Sequence, residues 1–208
     1  MTQAAEKIAE APPTKHELIV AAARKLFVTE GFGAISMDAI AAEAGVSKRT
    51  VYSHFADKGS LFAEVMGDIC REFGGPDLGE APPTDAPDAV LKAVGHMLLA
   101  RILSDQGRAL LRTVVAESAQ FPEVGKTFWG AGPNRVKEYL AAYFTELDRR
   151  GVVVVPDADL AALNFIGTVT GPYLLPQLLG VDPPPTDAEL ERTIGHAVAT
   201  TLDGIKPR

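Results

Sequence analysis

One cysteine, Cys70, stands in 208 residues, so no disulfide can close within the chain and no cysteine-rich zinc site can be built. Histidine is almost as scarce. His16, His54, His96 and His196 are scattered, without the helical pairing to another ligand that a metal site needs, so no metal and no cofactor are expected. No stretch reaches 18 consecutive apolar residues, which excludes a membrane-spanning helix. The first residues carry Glu6 and Glu10 and no apolar core of a leader, so a cytoplasmic location is expected. G-x-S-x-G, a phosphate-cradling Walker loop and H-E-x-x-H are all missing, so no catalytic residue is assigned and an enzyme is not expected.

Apolar side chains are plentiful at 47%, enough for a sizeable core, and 23% of residues are charged, ordinary for a globular domain. This length fits one medium domain or a small one joined to a larger one. The net charge of −7 argues at first against nucleic acid. Its distribution reverses that. Residues 14–62 hold six Lys/Arg and five acids, while the rest of the chain holds 14 bases and 22 acids. Local charge decides phosphate contact, and between Ser47 and Ala56 there are two cations and no acid.

That local excess falls in a stretch from Ser36 to Lys58 which reads as two short helices around a tight turn. Ser36 is an N-cap and Asp38 places an acid in the first turn, where the helix dipole favours one. Met37, Ile40, Ala41 and Ala44 recur on one apolar face. Gly45 suits the left-handed end of that helix, Val46 plugs the angle and Ser47 caps the next. In the second helix Val51 and Phe55 face inward, which turns Ser47, Lys48, Arg49, Thr50, Tyr52, Ser53 and His54 outward. An ordinary helical hairpin with a solvated face is the plain alternative. The acid-free outer face favours a helix-turn-helix whose second helix enters the major groove. Lys58, in the first turn of the following helix where an acid would be favoured, fits a nearby phosphate.

A-A-R-K-L-F-V-T-E-G-F, S-M-D-A-I-A-A-E-A-G-V-S-K-R-T-V-Y-S-H-F and A-D-K-G-S-L-F, spanning about 14–62, resemble the N-terminal domain of the TetR family of bacterial transcriptional repressors. L-L-R-T-V-V-A-E-S-A-Q-F-P-E-V and A-G-P-N-R-V further on resemble the regulatory domain of its AefR-like branch. Gly59 stands where the family most often has an acid. The resemblance implies a homodimer on a palindromic double-stranded operator, with a small-molecule pocket in the C-terminal helices and the last two helices at the two-fold axis. Lys48 and Arg49 are the candidates for base edges, Arg49 through a bidentate fork on guanine. Thr50 and His54 are candidates for base or phosphate contacts, and Ser36, Tyr52 and Lys58 for phosphate contacts that set register, with Ser47 completing the site.

The expected architecture is all-α: a tail (1–13), a three-helix DNA-binding head (14–62) and a larger ligand-binding and dimerisation body (63–208) of five or six helices. Thr14-Lys15-His16-Glu17 opens helix 1 as a capping box, and Thr186-Asp187-Ala188-Glu189 opens the last helix in the same way. Prolines 76, 82, 83 and 87 with three glycines mark 74–87 as a linker. Val152 to Val155 has no partner strand and reads as an extended connection. Helices at about 157–180 and 187–204 are apolar over more than a monomer surface needs, which suggests a four-helix dimer seam, and Pro172 and Pro176 should kink or break the first. The pocket candidates combine aromatics with a few polar groups: Met97, Arg101, Val114, Glu117, Phe128, Trp129, Tyr139, Tyr143, Phe165 and Tyr173. That composition suits a small apolar or amphipathic ligand, and equally a packed core. A DNA-binding dimer without a small-molecule effector, its body serving dimerisation or a protein partner, and an enzyme or carrier that kept the head by descent are the other readings.

Overall fold

At the start of the first helix the Thr14 hydroxyl accepts from the Glu17 amide at 3.2 Å, and the Glu17 carboxylate accepts from the Thr14 amide at 2.7 Å. This closed box satisfies two of the amides that every helix start leaves over. The computed structural model describes residues 12–72, 86–181 and 183–205, and of 70–72 the backbone alone. Most of the expected tail and linker, Phe73 and the Cys70 side chain lie outside the described residues. The head comprises α1 (Lys15–Glu30), α2 (Met37–Glu43) and α3 (Lys48–His54), and α4 (Lys58–Glu72) leads out of it. The body comprises α5 (Pro87–Leu103), α6 (Asp105–Ser118), α7 (Pro122–Ala131), α8 (Pro133–Arg149), α9 (Ala158–Leu179) and α10 (Asp187–Gly204). The fold is all-α, with no strand among the described residues.

Apolar stripes on these helices close into two cores. In the first, Phe27, Phe32 and Phe62 meet with ring centroids 5.1 to 5.6 Å apart, around the buried Ile19, Ile40, Val51 and Leu61. Edge-on aromatic packing adds to the burial itself, so Phe62→Ala should cost about 3–5 kcal/mol. Leu110 and Val114 of α6 and Val124 of α7 belong to this same core. The head is therefore not a free-standing triplet of helices; the body supplies one of its walls. The second core is formed by α5, α8, α9 and α10, with Leu91, Leu99, Leu140, Tyr143, Phe144 and Phe165 fully enclosed.

Of the kink or break expected in α9, the break does not occur. The helix runs from Ala158 to Leu179 without interruption, with Pro172 and Pro176 inside it. A proline ring clashes with the Cβ of the residue before it, and before Pro172 stands Gly171, which has none. α9 as a whole packs against α5, α8 and α10, although Pro172, Leu174 and Leu175 face outward. Beyond Pro176 the helix soon ends at Gly180, in the left-handed conformation (φ 66°). Its terminal carbonyls are met by α6: Arg112 donates to the Leu178 carbonyl at 3.0 Å and the Gln177 carbonyl at 2.9 Å, while Arg108 donates to the Gln177 side chain at 2.9 Å. A cation at a helix C-terminus is also favoured by the dipole. The 152–155 segment forms no strand, but it opens with bends at Val152 and Val153 instead of running extended throughout; Val153 and Val155 are buried and the Val154 amide donates to the Ile205 carbonyl at 2.8 Å.

Candidate nucleic-acid interface

Two serine caps build the turn between α2 and α3. Ser36 accepts from the Ala39 amide at 3.1 Å and Ser47 from the Thr50 amide at 3.1 Å. Between them Gly45 takes φ 65°, a conformation that a side chain disfavours. Val51 and Phe55 anchor α3 in the first core, and rotation about the helix then leaves Lys48, Arg49, Tyr52, Ser53 and His54 exposed. Thr50 is half-buried, its hydroxyl 2.8 Å from that of Ser47, so both hydroxyls contribute first to the cap.

The exposed cations differ in how they are held. Lys48 straddles both carboxylate oxygens of Asp38 at 2.8 and 2.9 Å and sits 6.0 Å from the Tyr52 ring centroid. The hydrogen bond to Asp38 raises its pKa above the ordinary lysine value. Both partners are more than half exposed, so this pair is easily exchanged for a phosphate or base edge. Among the described residues, no side chain holds the Arg49 guanidinium, which projects from α3 with all its donors. His54 packs edge-on against His16 of α1 at 5.8 Å, and His16 in turn lies 5.2 Å from Phe55, which fixes the end of α3.

Lys58, expected to set register on a phosphate, is held in the DNA-free chain by the head's own backbone. Its ammonium donates to the Phe32 carbonyl at 2.7 Å and the Ile35 carbonyl at 2.8 Å, and lies 4.4 Å from the Phe32 ring centroid. Desolvation there lowers its pKa, against the opposing pull of Glu117 and Glu123. The backbone carbonyls that end the α1–α2 connection need a donor, and this cation supplies it.

The pocket candidates do not converge. Met97, Tyr139, Tyr143 and Phe165 are enclosed in the second core, with Arg101 half-buried near the end of α5. Burial raises the Tyr139 pKa. Val114 and Phe128 belong to the first core, on the head side. Glu117 accepts from the Gly33 amide at 2.8 Å and so faces the head. Trp129 is 51% exposed. The Tyr173 hydroxyl lies 2.7 Å from that of Thr193 and donates to the Glu189 carbonyl, joining α9 to α10. A helical apolar stripe is visible in a sequence, but which of two cores it enters is not, and these residues were drawn from both. Arg108, Gln177 and the Lys58 cage went unnoticed because their partners lie 23 to 69 residues away. Among the described residues, no cluster of three or more His, Cys, Asp or Glu could hold a metal and no helix is long and apolar enough to cross a membrane.

Residues 19–65 match the model for bacterial regulatory proteins of the tetR family, and residues 89–204 that for the C-terminal domain of AefR-like transcriptional repressors. The HTH-type transcriptional regulator AcrR of Shigella flexneri is 29% identical over 119 residues, which are 54% of this chain and only about half (52%) of that protein. The HTH-type regulator EthR of Mycolicibacterium smegmatis is 25% identical over 91% of this chain and 86% of its own. Among solved structures, the flavonoid-responsive regulator FrrA superposes with a TM-score of 0.79 at 30% identity, over 93% of this chain and 98% of that one. A TetR-family regulator from Pseudomonas syringae gives 0.70 at 26% identity, over 95% and 100%.

Proposed function

The chain belongs to the TetR family of bacterial transcriptional regulators, with an AefR-like C-terminal domain, and on that premise we propose that it is a homodimeric repressor released from a palindromic operator by a small molecule held in its body. The observation that carries the reading is the outer face of α3, where exposed Lys48 and Arg49 stand with no acid on the same helix. Two such helices enter successive major grooves, with half-sites about one helical turn apart. Arg49 reads a guanine and Lys48 trades Asp38 for a base edge; Ser36 and Tyr52 set the register on phosphates.

Dimerisation is supported by the apolar outer side of α9, where Leu160, Leu163, Leu174, Leu175 and Leu179 are all exposed on a single chain. The ligand site belongs to the second core, where Tyr139, Tyr143 and Arg101 bring polar groups into apolar surroundings beside Met97 and Phe165. The flavonoid response of FrrA supports a ligand of small, largely apolar character. Such a ligand acts by favouring a spacing of the heads that no longer matches the grooves.

Selection of bound sequences from a random double-stranded pool, with purified protein at fixed salt, tests this directly. A recovered palindrome supports the dimeric reading. Weak, salt-sensitive binding without a recovered motif would sink it. Loss of binding to that palindrome when flavonoids are titrated in tests the release step, and indifference to every compound of that class would leave a dimer without such an effector.

A further inference from the structure

We propose that Glu117 is a positioning residue through which the body fixes the bearing of the helix-turn-helix, by clamping the connection between α1 and α2. The proposal rests on the dimeric, operator-binding reading above. The clamp joins residues 84 positions apart: the Gly33 amide donates to the Glu117 carboxylate at 2.8 Å. The connection is shaped for it. A Cβ at Gly31 would lie 2.7 Å from one Glu117 oxygen, and one at Gly33 would lie 2.8 Å from the Phe121 ring and 3.0 Å from the other Glu117 oxygen. Phe121, just after α6, packs edge-on against Phe32 at 5.4 Å. Lys58 grips the Phe32 and Ile35 carbonyls from the α4 side. Ile35 immediately precedes Ser36, the cap of α2, so whatever holds 31–35 aims the first helix of the motif.

Arg108 in the first turn of the same α6, and Arg112 at its middle, tie it to Gln177 and Leu178 of α9. A 14-residue helix is roughly 21 Å long. One rigid element is thus bonded near one end to the helix proposed to meet a second copy, and near the other to the segment that feeds α2. The bearing of each head relative to the two-fold axis follows from α6. A palindrome of fixed spacing demands that bearing, and a head left loose must be ordered on binding.

The test uses the full chain, the palindrome recovered by selection, and the same palindrome with one or two base pairs inserted between half-sites. Glu117→Ala should lose about tenfold in affinity for the native spacing, while its discrimination against the altered spacings shrinks. Glu117→Gln, whose amide oxygen still accepts from Gly33, should restore both. If Glu117→Ala weakens every spacing by the same factor, Glu117 merely supports the fold and the proposal is overturned. Hydrogen exchange at the Gly33 amide reads the clamp without DNA: it should speed up in Glu117→Ala, and unchanged exchange would remove the clamp itself. Recovery of no palindrome by the wild type would remove the dimeric reading and this role with it, whereas accelerated Gly33 exchange would still mark a real joint between body and head.

Discussion

The outward faces of α3 and α9 are opposites. On α3 the exposed side chains are Lys48, Arg49, Tyr52, Ser53 and His54. On α9 they include Leu160, Leu163, Leu174, Leu175 and Leu179, with Leu175 62% exposed. Neither is the surface a solitary acidic protein would be expected to show. On α3 Lys48 has only the exchangeable Asp38 of α2 and Arg49 has no side-chain partner among the described residues, while on α9 a row of leucines keeps water against apolar surface until something covers it. The two faces suit the different partners proposed for them: a phosphate backbone with its base edges for one, a second copy of the chain for the other. α6 lies between them and is bonded towards both.

Breaking the α9 side should have the larger effect on DNA binding. Leu163→Glu combined with Leu175→Glu places charges on the proposed seam, where both positions are exposed in the single chain, so folding should survive. Sedimentation should give a monomer, and affinity for the palindrome should fall about a hundredfold or more, since the second head no longer arrives at high effective concentration. A variant that stayed dimeric would place the seam elsewhere. On the α3 side, Arg49→Ala should cost about 1–3 kcal/mol of operator binding and relax preference at one base pair in each half-site. An unchanged motif on reselection would mean that Arg49 meets only phosphate.

Lys58 sharpens the comparison, because it separates cations that face outward from one held by the head's own backbone. Lys58→Met should lower head stability by about 1–2 kcal/mol, since two backbone carbonyls lose a charged donor. The salt dependence of operator binding should keep its slope. A slope reduced by about one would show the ammonium leaving its carbonyls for a phosphate in the complex.

What could be read in the sequence follows from how far apart the partners lie. Ser36, Gly45, Ser47 and both capping boxes act within four residues, so the helix-turn-helix and the starts of α1 and α10 were legible from residue types and spacing. Val51 and Phe55 oriented α3 by periodicity alone, which placed Arg49 outward. Glu117 shows where such reading stops. Its position on α6 suits a pocket as well as a joint, and only the approach of Gly33 from a distant part of the chain decides between them. The same holds for Arg112, whose acceptors are carbonyls at the far end of α9. At α9 proline does not break the helix: Gly171 before Pro172 lacks the Cβ that the ring would meet, which a count of prolines alone does not reveal.

The smallest effects come from a device that head and body share. Thr14 and Glu17 open α1, and Thr186 and Glu189 open α10, through the same reciprocal bonds. Thr14→Ala and Thr186→Ala should each cost about 1 kcal/mol of stability. In both boxes the Thr amide and then the Thr hydroxyl, donating to the carboxylate, hold the glutamate pKa below its ordinary value. A carboxyl group lowered in the folded state stabilises it above the ordinary glutamate range and loses that contribution as pH falls through the folded value. The margin of wild type over Glu17→Gln or Glu189→Gln in thermal melts should therefore be full near neutral pH and vanish in acid below that range. DNA binding should tell the boxes apart. The α1 box fixes the turn that carries His16, which packs on His54 and Phe55 at the end of α3, so Thr14→Ala should also weaken operator binding by about twofold through a loosened recognition helix. Thr186→Ala, with no such neighbour on α3, should leave it unchanged. Equal effects of the two substitutions on DNA would mean that stability alone, and not the bearing of α3, passes from helix starts to the operator.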